Sequence, residues 1–90
     1  MNRFHGKTVI VTGAGSGIGE ATARRFAVEG ANVVLAGRRL APLQRVAAEV
    51  PSDRALVFQT DVSVRQDVEC MIDATLSCFG QLDVLVLSVA

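Results

Sequence analysis

Four short apolar runs alternate with three stretches of helical periodicity, and this alternation restricts the possible folds more than any other feature of the chain. Residues 7–13 (KTVIVTG), 31–37 (ANVVLAG), 55–60 (ALVFQT) and 82–90 (LDVLVLSVA) read as strands. The first is a β-branched run of the kind expected of a parallel strand covered on both faces. Between the runs, Ile18, Ala21, Thr22 and Phe26 mark a first helix over 17–29, stopped by Gly30. Leu40, Leu43, Val46, Ala47 and Val50 mark a second, closed by Pro51. Val64, Val68, Met71, Ile72, Leu76 and Phe79 mark a third that runs to Gly80, with Ser63 and Gln66 at capping-box spacing. Strands alternating with helices through short linkers imply βαβ units, right-handed crossovers and a parallel sheet, hence an α/β fold.

Composition is compatible with that outcome. Ninety residues, 50% of them apolar, suffice for one small domain with a core and are unlike a disordered chain. Lys plus Arg equals Asp plus Glu, nine of each, so neither nucleic acid nor a membrane surface is expected as a partner. No apolar stretch approaches the roughly 20 residues of a membrane span, and MNRFHGK lacks the apolar centre of a secretory signal. Cys70 and Cys78 share one helical pattern. Two turns of helix hold them roughly 12 Å apart, beyond disulfide reach. They are expected to be reduced and mostly buried, which suits a cytoplasmic protein. His5 is the lone histidine and has no partner at metal-ligand spacing, so no metal is expected.

The stretch VTGAGSGIGEATARRF (residues 11–26) sets glycines at positions 13, 15, 17 and 19, between the first strand and the first helix. A strand, a glycine turn and a helix start together form an anion site, because first-turn amides are unpaired and the helix dipole favours negative charge there. Gly13 makes the turn, Gly17 lets a pyrophosphate approach the backbone, and Gly19 lets the helix pack closely on the sheet. Neither common phosphate-loop pattern fits. Read from Gly15, the sixth position of G-x-G-x-x-G is Glu20, and no Gly-Lys-Ser/Thr follows.

At this point the residues resemble the short-chain dehydrogenases/reductases, whose turn reads T-G-x-x-x-G-x-G; Thr12, Gly13, Gly17 and Gly19 match it. FHGKTVIVTGAGSGIG, TDVS and FGQLDVLV match the family's N-terminus, third-strand end and fourth-strand entry in order. The resemblance implies a Rossmann-type parallel sheet with flanking helices, N-terminal part only, of strand order 3-2-1-4. The cofactor residues it implies are Gly13, Ser16, Gly17, Ile18 and Gly19 of the turn, Arg38 after the second strand, and Asp61 and Val62 at the third. In the family the last two meet the adenine ring. The second strand runs into Gly37-Arg38-Arg39 with no acidic residue, where NAD-binding folds place a carboxylate for the ribose hydroxyls. A guanidinium pairs with a 2′-phosphate in two-point fashion, so NADP is favoured over NAD, with Arg38 as the main contact and Arg39 as a second.

The family's activity is hydride transfer between the nicotinamide cofactor and a carbonyl or alcohol, using serine, a Tyr-x-x-x-Lys pair and usually an asparagine. This chain has no tyrosine, its one lysine is Lys7, and no catalytic residue can be named. Where relatives read Asn-Asn-Ala-Gly, it has Leu87-Ser88-Val89-Ala90. The last strand would be a bare apolar edge with no covering helix. The expectation is therefore a partial dinucleotide-binding domain over 1–90, inactive alone, with a small-molecule substrate only in a longer parent. A homo-oligomer is left open. The alternatives are a non-catalytic NADP-binding module and an assembly fragment without useful nucleotide binding.

Overall fold

The structure, a computed structural model, describes residues 3–15 and 17–87. Seven main elements follow in the expected order: β1 (Thr8–Thr12), α1 (Gly17–Val28), β2 (Asn32–Gly37), α2 (Leu40–Ala47), β3 (Ala55–Gln59), α3 (Arg65–Phe79) and β4 (Val84–Val86). A single 3-10 turn, Ser52–Arg54, leads into β3. The strands form one parallel sheet in the order β3-β2-β1-β4, as the sequence implied.

The sheet's two faces bury different side chains because successive residues of a strand point opposite ways. Val9, Val11, Val33 and Leu35 form one core with Ala23 of α1 and with Leu43 and Val46 of α2. Ile10, Val34 and Ala36 form the other with Met71 of α3. Every residue of β1 is buried, and all of β2 between Asn32 and Gly37. These central strands supply half of the buried apolar residues among those described, at about 1.5–3 kcal/mol for each large aliphatic side chain.

Several local expectations are corrected. The buried positions of α1 are Gly19 and Ala23, with Phe26 and Ala27 partly covered, whereas Ile18 is 80% exposed and Ala21 also faces outward. The fully buried contacts of α1 on the sheet are made by small residues, which let the helix approach it. α2 ends at Ala47 instead of running to Pro51; the next three residues continue as turns, with the Val50 N–H donating to the Ala47 carbonyl at 3.0 Å.

The capping box at Ser63 and Gln66 is not formed: Val64 holds the cap position with no side-chain cap bond. Ser63 instead donates its N–H and Oγ–H to Asp61 Oδ1, at 3.0 and 2.6 Å. Cys70 and Cys78 are exposed, not buried. Only Met71 and Thr75 of α3 are fully covered, and both cysteines lie off that narrow contact line. β4 is shorter than the expected 82–90, and positions 88–90 fall outside the described residues.

Polar ties fasten the amino-terminal edge of the sheet. The Thr8 N–H donates to Asp83 Oδ2 at 2.8 Å, and Gln81 Nε2 donates both to that oxygen and to the Gly6 carbonyl, each at 2.7 Å. Glu29 is buried and pairs with Arg3 and Arg25. Burial pushes its carboxyl upward, but the Arg3 backbone N–H and the two guanidinium charges together bring it below the usual range. Among the described residues, no helix is long and apolar enough to cross a membrane.

Candidate functional site

The carboxyl ends of β1, β2 and β3 lie side by side, which is where open α/β sheets take ligands. β1 ends in Thr12, and Gly13 follows with φ of 67°, a conformation that glycine adopts without a Cβ penalty. The Ala14 N–H donates to the Ala36 carbonyl at 3.1 Å, so the turn is tied to the end of β2.

Two glycines at the start of α1 answer to different constraints. Gly17 has φ of 57°, and among the described residues outside its own helix and chain neighbours nothing lies within 4 Å of where a Cβ would stand. A Cβ on Gly19 would lie 2.1 Å from the Gly13 carbonyl oxygen and 2.6 Å from its carbon. The helix therefore starts flush against the turn, with its unpaired first-turn amides at an exposed end. Ile18 projects outward beside them. Ser16 lies outside the described residues.

The ends of β2 and β3 are joined in turn. The Thr60 N–H donates to the Gly37 carbonyl at 2.7 Å, and Gln59 Nε2 donates to the Arg38 carbonyl at 2.9 Å. Arg38, Gln59, Thr60, Asp61 and Asp67 line an open cleft of about 390 Å³. Arg38 and Asp61, assigned independently from the sequence, thus meet in one place. Val62, next along the chain, is 54% exposed. Arg39 is exposed at the cap position of α2.

Within the cleft, the Asp61 N–H donates to Asp67 Oδ2 at 3.1 Å. The hydroxyl and N–H of Ser63, aided by the Arg38 charge, hold the Asp61 carboxyl below its ordinary value despite opposition from burial. Asp61 is thus an anion whose Oδ1 is occupied by Ser63, leaving Oδ2 for another donor. The Thr60 hydroxyl is buried and, among the described residues, has no hydrogen-bond partner.

Gln59, Thr60 and Asp67 were not singled out from the sequence. Their signal is weak, since a strand-end glutamine, a threonine and a first-turn aspartate are each common, and only the packing of β3 beside β2 and the turn from β3 into α3 collect them. Chemically, the turn offers N–H donors to an anion. The cleft offers one planar cation and two carboxylates, those of Asp61 and Asp67. Among the described residues, none from the glycine turn lines the cleft, so a ligand using both would have to span them.

A family model described as short chain dehydrogenase matches residues 7–90. The meso-2,3-butanediol dehydrogenase of Serratia marcescens is 47% identical over 83 residues, covering 92% of this chain and 33% of its own. A 3-ketoacyl-(acyl-carrier-protein) reductase from Brucella melitensis, solved in complex with NADH, superposes with a TM-score of 0.86 at 46% identity, over 91% of this chain and 33% of that one. Glucose dehydrogenase of Caenorhabditis elegans, in its apo form, gives a TM-score of 0.90 at 36% identity, over 98% and 39%. The chain spans about a third of the length of the relatives it matches.

Proposed function

The chain belongs to the short-chain dehydrogenase family, and on that premise we propose that it holds NADP(H) across the carboxyl ends of β1, β2 and β3. The observation that carries the choice of cofactor is the Arg38 cleft: a guanidinium follows β2, where a ribose-binding carboxylate would otherwise stand. A 2′-phosphate there would gain a two-point charge-assisted pair, and a bare ribose hydroxyl would not. The NADH bound to the Brucella neighbour supports a nicotinamide dinucleotide in general and leaves the 2′-phosphate to this argument.

Each remaining residue has a role in that reading. Gly13 and Gly17 shape the turn on which the pyrophosphate lies, and Gly19 brings the α1 amides close to it. Ile18 flanks the same surface, and Ser16 is assigned to cofactor binding from its place in the sequence motif alone. Asp61 Oδ2 accepts from the adenine amino group, and the Val62 N–H serves a ring nitrogen. The bound nicotinamide would supply the hydride chemistry; these residues only bind and orient it. In a longer parent the substrate is a small carbonyl or alcohol. The 90 residues, lacking tyrosine, do not turn over alone. We place the protein in the cytoplasm, with the domain 1–90 as its cofactor-binding part.

The test is a parallel calorimetric titration with NADP⁺ and NAD⁺. NADP⁺ is expected to bind more tightly, and Arg38→Ala to remove about 1.5–3 kcal/mol of that advantage, the range for hydrogen bonds to charged groups. Equal binding of the two cofactors would end the arginine argument and leave the glycine cradle intact.

A further inference from the structure

We propose that Pro42 is a positioning residue, which sets the spacing between the glycine turn and the Arg38–Arg39 segment by bearing on Gly15. Gly15 is not in the left-handed region, so its own backbone tolerates a side chain. What excludes one is tertiary. A Cβ at Gly15 would stand 2.8 Å from Pro42 Cβ and 3.6 Å from Leu43 Cδ2. Leu43 Cδ2 also lies 3.3 Å from where a Cβ on Gly37 would stand. The first turn of α2 is therefore wedged against two bare backbone positions, one in the turn after β1 and one at the end of β2.

Proline makes this contact stiff. Its Cβ belongs to a ring closed onto the backbone, so it cannot rotate aside as the tip of a long side chain would. Any push from Gly15 passes into the α2 backbone. α2 begins at Leu40, directly after Arg38 and Arg39, so a shift of its first turn carries those cations with it. The glycine turn and the arginine segment are thus held in register, and a dinucleotide reaching from one to the other needs that register. The functional half of this inference rests on the NADP reading given above; the mechanical half does not.

The experiment compares wild type, Gly15→Ala, Pro42→Gly and the double variant. Each is titrated with NADP⁺ and NAD⁺, and its amide resonances are recorded by NMR. Gly15→Ala is expected to lower the NADP⁺ to NAD⁺ affinity ratio about tenfold, the lower part of the range for overpacking. It should also shift the amides of residues 38–41. Pro42→Gly, which removes the opposing Cβ, should restore both in the double variant, while failing to rescue Gly19→Ala, whose obstruction is the Gly13 carbonyl.

If Gly15→Ala does not fold, recovery of folding in the double variant supports the contact, and Pro42→Gly alone should still lower the ratio. Additive effects in the double variant, or shifts confined to residues 13–19, would overturn the proposal. A wild type that does not distinguish NADP⁺ from NAD⁺ would sink the cofactor reading separately, and the resonance pattern would still decide whether Pro42 couples the two segments.

Discussion

Replacing Gly19 by alanine adds one methyl group, and the structure gives its consequence. The new carbon would sit 2.1 Å from the Gly13 oxygen, 2.6 Å from the Gly13 carbon and 3.2 Å from the Ala14 nitrogen. Comfortable carbon–oxygen contacts begin near ~3.3 Å, so α1 and the turn must separate by about 1 Å. All three opposing atoms are backbone, which cannot swing away. Overpacking costs about 1–3 kcal/mol in a well-packed site, and a rigid obstacle puts this case near ~3. Alanine returns up to about 1 kcal/mol of helix propensity, so the clash wins by about 2 kcal/mol. At about 4–8 °C per kcal/mol for a domain of this size, the melting temperature should fall by about 8–16 °C. Gly17→Ala meets no neighbour among the described residues and loses about 1 kcal/mol through its positive φ. Thermal unfolding followed by circular dichroism ranks the two. A Gly19→Ala melting temperature within about 2 °C of wild type, or a larger loss at Gly17, would refute the flush packing of α1 on the turn.

Two further outcomes are expected. The Thr8 N–H holds the Asp83 carboxyl below its ordinary value, helped by Gln81 and Lys7 against burial. A depressed folded value means stability that is present above the unfolded carboxylate range, near ~3.9, and lost as pH falls through the folded one. Melting temperatures measured from pH 5 downward should thus decline less steeply in Asp83→Asn than in wild type, and equal slopes would exclude this contribution. Cys70 and Cys78 should both react with a chromogenic thiol reagent in the native protein. Reaction only after adding denaturant would contradict their placement on the outer side of α3.

Most of the architecture was legible because strand and helix periods leave separate marks in the sequence. Val9-Ile10-Val11 and Val33-Val34-Leu35-Ala36 are unbroken apolar runs within β1 and β2, as expected of central parallel strands. Helix faces were harder to read. Ile18 fits an apolar stripe on paper, but α1 packs through Gly19 and Ala23, whose small size carries no hydropathy signal. The cysteines were misplaced because α3 buries only a narrow line around Met71 and Thr75. At the candidate site, the glycine turn, Arg38 and Asp61 could be named from order along the chain. The partners of Asp61 could not, because the Asp67 and Ser63 contacts depend on how the chain turns into α3. Longer ties, such as Asp83 to Thr8 across 75 positions, leave no local trace.

The position of β1 also sets an order for synthesis. One of its edges is filled early by β2, but the other waits for β4, whose entry is fastened to Thr8 only when Asp83 arrives. At about 5–20 residues per second, the 75 positions between them take roughly 4–15 s to emerge from a ribosome. During that interval the fully apolar Val9-Ile10-Val11 presents an open edge in a partly assembled sheet, the kind of surface through which nascent chains stick to one another. A chain stopped at Phe79 keeps that edge open permanently and should aggregate at lower concentration than the 90-residue chain, as light scattering would record. β4, the latest of the four described strands, is thus the one that covers the second edge of β1.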